Sequence, residues 1–432
     1  MTMSIMVRKS SSVVVRPSEP MTTGITMKLS SFDKAAMNDP VTSLLVFEQP
    51  IHEPAETIKR ALSQALVHYY PIAGRIDAAA ANDGELHIQC TGEGVPFVSA
   101  SANSALKQFM FLDVQSPGAR AVLDELAIYC EPAGGSNPLM TMQVTEFSCG
   151  GFVVGVTWDH VIADGHGMAQ FLQAVSEIAR GLSQPSVVPV RWDDALPSLP
   201  PSLVSSHQLI LGLEPLDLAC LDITIPSSAI NRVRDEYRVH SGGQSTCTFF
   251  EVVTAVLWQC RTRAIMSNPQ TPAVLSFGVN FRKHVGAKDG YYGNCCSGQT
   301  VGATSGKVAN GDIMEVIEMI KHAKDQIPQR FVKGDGTVDS NQQQEQATGG
   351  THQFDTYNIL GLSSWRNLGF EEPDFGSGNP ERVVYHRKPM AWSVPICVTC
   401  PPWKGVDGAS VFSLCVKKEH ADAFLGEIAK FT

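Results

Sequence analysis

The run Gly151-Phe152-Val153-Val154-Gly155-Val156 leaves no polar side to face water. It reads as a strand buried on both faces. Trp158-Asp159-His160-Val161-Ile162-Ala163-Asp164-Gly165 follows at once. Beyond it, Met168, Phe171, Leu172, Val175, Ile178 and Ala179 recur at helical spacing, and Gly181 offers a C-terminal stop. A strand that feeds a tight turn and then an amphipathic helix restricts the chain to folds with sheets covered by helices. It also puts a histidine at the end of a buried strand, with an aspartate four residues on. That is a site for a general base.

The chain has 432 residues, too many for one ordinary core, so two domains are expected. Hydrophobic residues make up 43% and charged residues 18%, the balance of a globular protein. A formal charge of −10 argues against a nucleic-acid or anionic-membrane surface. No apolar run approaches the roughly 18 residues of a membrane span. Arg8 and Lys9 follow a Met-rich start, but no apolar core and small-residue cleavage site come after them, so no signal peptide is expected. The eleven cysteines are odd in number and scattered. Such a pattern favours a reducing compartment and free thiols. Cys397-Val398-Thr399-Cys400 is a lone pair with no partner at zinc-site spacing, and with Cys295-Cys296 it is read as structural.

Residues 11–16, 24–29, 43–47 and 85–90 read as strands, and 54–69 as a helix opened by Pro54 and stopped by Pro71. Residues 140–157 read as a hairpin broken at Gly150-Gly151. The prolines between 182 and 206 mark an interdomain linker. Further strands are expected at 218–225, 274–281, 392–400 and 409–417. Helices are expected after a Thr246 cap, over 311–326 and from His420. Residues 333–350 are polar and read as an exposed, mobile loop. Strands and helices mix without strict alternation, which gives an α/β or α+β protein with mixed sheets in two comparable halves.

A lone HxxxD is a small pattern, and three readings of it compete. On a helix, His160 and Asp164 would share a face and form a carboxylate-oriented base, as in hydrolase triads. The strand before His160 weakens that reading, and the chain has no G-x-S-x-G nucleophile elbow. A metal site through His160, Asp164 and His166 lacks a HExxH pattern and a further well-spaced ligand, so no metal is expected. The third reading makes His160 a base without a carboxylate partner and leaves Asp164 a structural part.

Several stretches in order resemble one family. His160-Val161-Ile162-Ala163-Asp164-Gly165 matches the HxxxDG motif of the plant BAHD acyltransferases, which use acyl-CoA. Asp374-Phe375-Gly376-Ser377-Gly378 is similar to their second signature, DFGWG. Tyr69–Arg75, Gln89–Gly94, Leu257–Arg261, Val279–Arg282 and Gly290–Asn294 resemble further family stretches across nearly the whole chain. Cys90–Gly94 and Gly290–Asn294 look most like the benzyl-alcohol benzoyltransferase and taxane acyltransferase branch.

The resemblance implies an α/β fold like chloramphenicol acetyltransferase, with two similar-sized domains of mixed sheets. Its boundaries would be 1–189 for an N-terminal domain carrying HxxxD, 190–220 for a crossover loop, and 221–432 for a C-terminal domain carrying DFGSG. His160 would sit in a solvent channel between the domains. It would be the general base for attack of a small alcohol or amine on an acyl-CoA, which serves as co-substrate with no permanently bound cofactor. Neutral imidazole suits that task near pH 7. The indole N–H of Trp365, with Ser363, would line the oxyanion region. Asp164 would be structural and pair with an arginine, here Arg282. Gly165, Asp374 and Gly376 would likewise support the site rather than react. Ser377 stands where the family has tryptophan, which removes a large packing group. Ser245 and Thr246 precede a helix whose N-terminus favours phosphate, and so are candidates for CoA. The donor would be benzoyl- or hydroxycinnamoyl-CoA and the acceptor an alcohol such as benzyl alcohol. The alternatives are N-acylation of tryptamine or spermidine and a non-catalytic CoA-binding homologue. A cytoplasmic monomer without nucleic-acid or membrane partners is expected.

Overall fold

A computed structural model describes all residues except 1–4, 21–23, 78–85, 111–116, 131–136, 193–195, 200–203, 205–212, 329–354, 389–391 and 404. The stretch read as a mobile loop, 333–350, lies outside the described residues. The strands in chain order are β1 (Val7–Lys9), β2 (Val13–Val15), β3 (Thr26–Lys28), β4 (Pro40–Phe47), β5 (Arg75–Asp77), β6 (His87–Gln89), β7 (Val95–Ala102), β8 (Met140–Phe147), β9 (Phe152–Asp159), β10 (Leu221–Ile225), β11 (Pro272–Asn280), β12 (Cys296–Thr304), β13 (Ile359–Ser364), β14 (Arg382–His386), β15 (Ile396–Cys400) and β16 (Ala409–Leu414). The chain forms two compact units. The first is Met1–Ser198 with Gly286–Cys295 and Arg366–Pro389. The second is Leu199–Val285 with Cys296–Trp365 and Met390–Thr432.

The first unit is built on a seven-stranded sheet in the order β1-β7-β8-β9-β4-β14, with β2 also on β7; β3, β6 and β5 make a small second sheet. The expected hairpin is β8 and β9, paired antiparallel from Met140↔Trp158 to Glu146↔Phe152. All eight residues of β9 are buried. That follows from its place between β8 and β4, where both faces are covered. The helix expected after the motif is Gly165–Ala179, with Met168, Phe171, Leu172, Val175 and Ile178 buried. Gly181 closes it in the left-handed region at φ 100°, its N–H donating to Ile178 O.

The first unit also takes a strand from far along the chain. β14 pairs antiparallel with β4, from Arg382↔Val46 to His386↔Thr42. The DFGSG stretch therefore belongs with the HxxxD unit and not with the C-terminal half, as its position in the sequence had implied. Backbone pairing with β4, which would otherwise be an edge, overrides sequence order here.

The second unit holds a six-stranded mixed sheet, β10-β16-β15-β13-β11-β12. β13 runs parallel to both β11 and β15, and the other pairs are antiparallel. Helix Phe249–Ile265 is buried along Glu251–Thr262 and sits in the core with Leu275, Leu360, Ile317 and Phe424. Its N-cap is Thr248, in a capping box with Glu251, two residues beyond the Thr246 expected. The reason lies in spacing: a capping box needs an acidic residue at the third helical position, and Glu251 stands three after Thr248. All eleven cysteines are free, and nine of them are buried, among them Cys397 and Cys400. Among the described residues no helix is long and apolar enough to cross a membrane.

Candidate active site

β9 ends at Asp159, and the chain turns at once. Asp159 Oδ1 accepts from Val161 N, and Ile162 N donates to Asp159 O. The indole N–H of Trp158 donates to Ala163 O at 3.1 Å. The backbone of His160 is held on both sides. Its N–H donates to Asp39 O at 3.1 Å, and its carbonyl accepts from Asn294 Nδ2 at 2.8 Å. The histidine is thus delivered by a fixed turn rather than by a helix face.

His160 and Asp164 do not form a pair in this turn. Asp164 is the N-cap of the motif helix, and its Oδ1 accepts from Gly167 N at 2.9 Å. Its Oδ2 accepts from Cys295 N at 3.0 Å. The carboxylate, 2% exposed, joins the helix start to the segment 286–295. Gly167 sits beneath that segment. A Cβ there would lie 1.8 Å from Tyr292 O, so only glycine permits the approach. Tyr291 and Tyr292 are both buried beside it, and burial raises their phenol pKa values. Gln170 on the same helix donates to Gly290 O at 3.0 Å and to Tyr69 Oη at 3.1 Å.

The segment held by Asp164 and Gly167 supplies the partner of His160. Asn294 Oδ1 lies 2.9 Å from His160 Nδ1. The amide orientation is fixed by what surrounds Nδ2: Asp33 Oδ1 at 2.8 Å and the carbonyls of His160 and Val161 at 2.8 and 3.3 Å. All three are acceptors, so the NH2 group faces them and the amide oxygen faces the imidazole. An amide oxygen only accepts. Nδ1 must therefore carry the proton, and Nε2 keeps its lone pair. That arrangement can take a proton from an incoming O–H or N–H group.

Asp33 in turn is fully buried and meets Arg191 Nη2 at 3.1 Å. Arg191 also donates to Val161 O at 3.3 Å. Burial opposes its charge most strongly, but the Asp33 carboxylate together with Tyr291 and Tyr292 outweighs it and holds the guanidinium pKa above its ordinary value. Neither Asn294 nor Asp33 nor Arg191 was singled out from the sequence. Gly290–Asn294 carried a resemblance only, Asp33 falls between two expected strands, and Arg191 falls in a proline-rich stretch.

The other expected residues fall into two groups. Gly165, Asp374 and Gly376 lie in the first unit. A Cβ on Gly165 would come within 2.8 Å of Leu368 Cδ1. From there the chain runs along the motif helix past Gly369, beside Ala169, to Asp374, which pairs with Arg180 at 3.0 Å. Arg180 caps the far end of the helix, about 24 Å from Asp164 at 1.5 Å per residue. Asp374 Oδ1 accepts from Gly376 N and Gly378 N, both at 2.8 Å, and Phe375 packs edge-on to Phe47 at 5.3 Å. These bonds hold a loop remote from His160. Ser363, Trp365, Ser245, Thr246 and Arg282 lie in the second unit. Trp365, 5% exposed, follows β13, its backbone N–H donating to Thr399 O at 2.7 Å, and Ser363 pairs with Val398. Lys321 Nζ donates to Ser245 Oγ at 2.6 Å and to Thr246 O at 2.8 Å. Arg282 donates from N and Nη1 to Asn280 Oδ1 at 3.0 and 3.3 Å.

Two mixed-sheet units and a turn-held histidine whose Nδ1 faces an amide oxygen suit group transfer or hydrolysis in an α/β protein, and known proteins narrow the choice. The family model described as Transferase family matches residues 5–425. Acyl transferase 15 of Oryza sativa subsp. japonica is 49% identical over 440 residues, covering 99% of each chain. Myricetin 3-O-glucosyl 1,2-rhamnoside 6'-O-caffeoyltransferase AT1 of Crocosmia x crocosmiiflora is 34% identical, with both chains covered in full. The crystal structure of vinorine synthase shares the fold at TM-score 0.75 and 19% identity, covering 99% of this chain and 98% of its own. The chain belongs to the Transferase family, the BAHD acyltransferases that its motifs resemble, and it is an acyltransferase.

Proposed function

We propose that the protein transfers an aromatic acyl group, benzoyl or hydroxycinnamoyl, from acyl-CoA to the hydroxyl of a small acceptor such as benzyl alcohol. The observation that carries the chemistry is the bond between His160 Nδ1 and Asn294 Oδ1, which leaves Nε2 as a base. A thioester is already activated, so no protein nucleophile is needed. His160 Nε2 takes the acceptor proton as the acceptor oxygen attacks the thioester carbonyl. The tetrahedral oxyanion collapses, the C–S bond breaks, and the CoA thiolate leaves with the proton from Nε2. For the oxyanion, the family resemblance points to the indole N–H of Trp365 and to Ser363. One donor there is worth about 3–4 kcal/mol. For CoA, it points to Ser245 and Thr246, just ahead of the helix capped by Thr248. The aromatic donor is supported by the caffeoyltransferase among the relatives, since caffeoyl is a hydroxycinnamoyl group.

A panel of acyl-CoAs against benzyl alcohol, tryptamine and spermidine, read by product mass, tests this reading. Benzoyl or hydroxycinnamoyl esters of the alcohol are expected. Products formed only with the amines, or only from aliphatic donors, would overturn it. Ser245→Ala and Thr246→Ala should raise KM for acyl-CoA and leave KM for the acceptor unchanged.

A further inference from the structure

The base at His160 depends on one feature beyond the histidine itself, the direction of the Asn294 amide. Rotated by 180°, that amide would offer NH2 to His160 Nδ1. The stable neutral tautomer would then carry its proton on Nε2, where it could accept nothing. The orientation is set by the backbone carbonyls of His160 and Val161 within the motif and, from outside it, by the Asp33 carboxylate. Asp33 Oδ1 accepts from Asn294 Nδ2 at 2.8 Å and from Asn294 N at 3.3 Å. Its other oxygen accepts from Ser30 N at 2.9 Å, from Ser30 Oγ at 2.8 Å and from Arg191 Nη2 at 3.1 Å. The carboxylate is 0% exposed and has five donors, so it has no freedom to turn. Ser30 and Asp33 form a reciprocal capping box on the short helix Ser31–Ala35. Arg191 is held in turn by Val161 O, one residue past the histidine.

We propose that Asp33, clamped by Arg191 and Ser30, is a positioning residue that fixes the Asn294 amide and thereby the Nδ1–H tautomer of His160. The inference rests on the reading of His160 as base. Asp33 touches neither the imidazole nor the reacting atoms. It makes the chain Arg191–Asp33–Asn294–His160 alternate charge, charge, dipole and base. The neutral amide between carboxylate and imidazole has a second consequence. It orients the ring without placing a formal negative charge directly against it.

The test reads the tautomer and the rate separately. Nitrogen-15 NMR of histidine-labelled full-length protein, with the His160 signals assigned by their loss in His160→Gln, reports which nitrogen carries the proton. Wild type should show a single Nδ1–H tautomer. Asp33→Asn keeps the shape but must turn an NH2 group toward either Asn294 or the Ser30–Arg191 donors. It should give a mixture of tautomers and lower kcat about tenfold or more, up to the 10²–10⁴ that a general base is worth. KM for acyl-CoA should stay unchanged. Arg191→Lys keeps the charge but removes the planar fork, and should shift tautomer and kcat in the same direction by less. If Asp33→Asn does not fold, Arg191→Lys carries the test. An Nε2–H tautomer in wild type, or a pure Nδ1–H tautomer in folded variants, whatever their kcat, would overturn the proposal. Full activity of His160→Ala would instead sink the base reading and leave the tautomer result standing, so the two failures are distinguishable.

Discussion

At the scale of single residues, the HxxxD motif divides into unlike parts. His160 is presented by a turn whose backbone is bonded on both sides, while Asp164 spends both oxygens on backbone amides. Asp164→Asn keeps one acceptor and sets an NH2 group against the amide of either Gly167 or Cys295. Stability should fall by about 1–3 kcal/mol, the cost of a buried unsatisfied donor, measurable by denaturant unfolding. The pH limbs of acyl transfer should stay where they are. A second prediction concerns alkali. Burial, opposed by the bond from Gln170, pushes the Tyr69 phenol up to about 12 from 10. Its contribution to stability is therefore complete below pH 10 and is lost as pH rises toward 12, because the unfolded chain releases that proton first. Unfolding midpoints between those pH values should fall less steeply in Tyr69→Phe. The histidine was legible from sequence because it ends an apolar run and opens a helix start. Asn294 was not, since 134 residues separate it from His160 and only folding makes the amide a neighbour.

At the scale of elements, the motif helix is gripped at both ends by chain from elsewhere. Segment 286–295 sits on its N-terminus, and Asp374 pairs with Arg180 at its C-terminus. Gly167→Ala would drive a Cβ into Tyr292 O, and should cost about 3 kcal/mol and displace Asn294 with the segment. A lower thermal midpoint together with a loss of kcat is the expected pair of readings. Ser377 behaves differently. Its Oγ is buried and makes no hydrogen bond, where the family pattern has tryptophan. Ser377→Ala removes a desolvated hydroxyl and should leave the thermal midpoint equal or higher. The hairpin β8–β9 and the motif helix were readable because alternation, glycine breaks and helical spacing act locally. β14 was missed because it is short and follows the glycine-rich loop, and its burial comes from pairing with β4, across more than 300 residues of chain.

At the scale of the whole molecule, sequence order and spatial order part company. The sequence reading gave two mixed-sheet domains, and two units are present, yet the first is completed by Gly286–Cys295 and Arg366–Pro389. A fragment ending at Ser198 would leave β4 without β14 and His160 without Asn294. It should aggregate or remain unfolded by circular dichroism and size exclusion, because an apolar edge strand is exposed. The interleaving also explains why the motifs of the resemblance are spread along the chain. HxxxDG, Gly290–Asn294 and DFGSG all serve one unit.

The central claim is that His160 supplies the base for acyl transfer through Nε2. The most direct measurement is turnover of His160→Ala with benzoyl- or hydroxycinnamoyl-CoA and benzyl alcohol, on protein whose thermal midpoint and circular dichroism match wild type. A fall in kcat of about 10²–10⁴ is expected. Turnover within a few fold of wild type would contradict it.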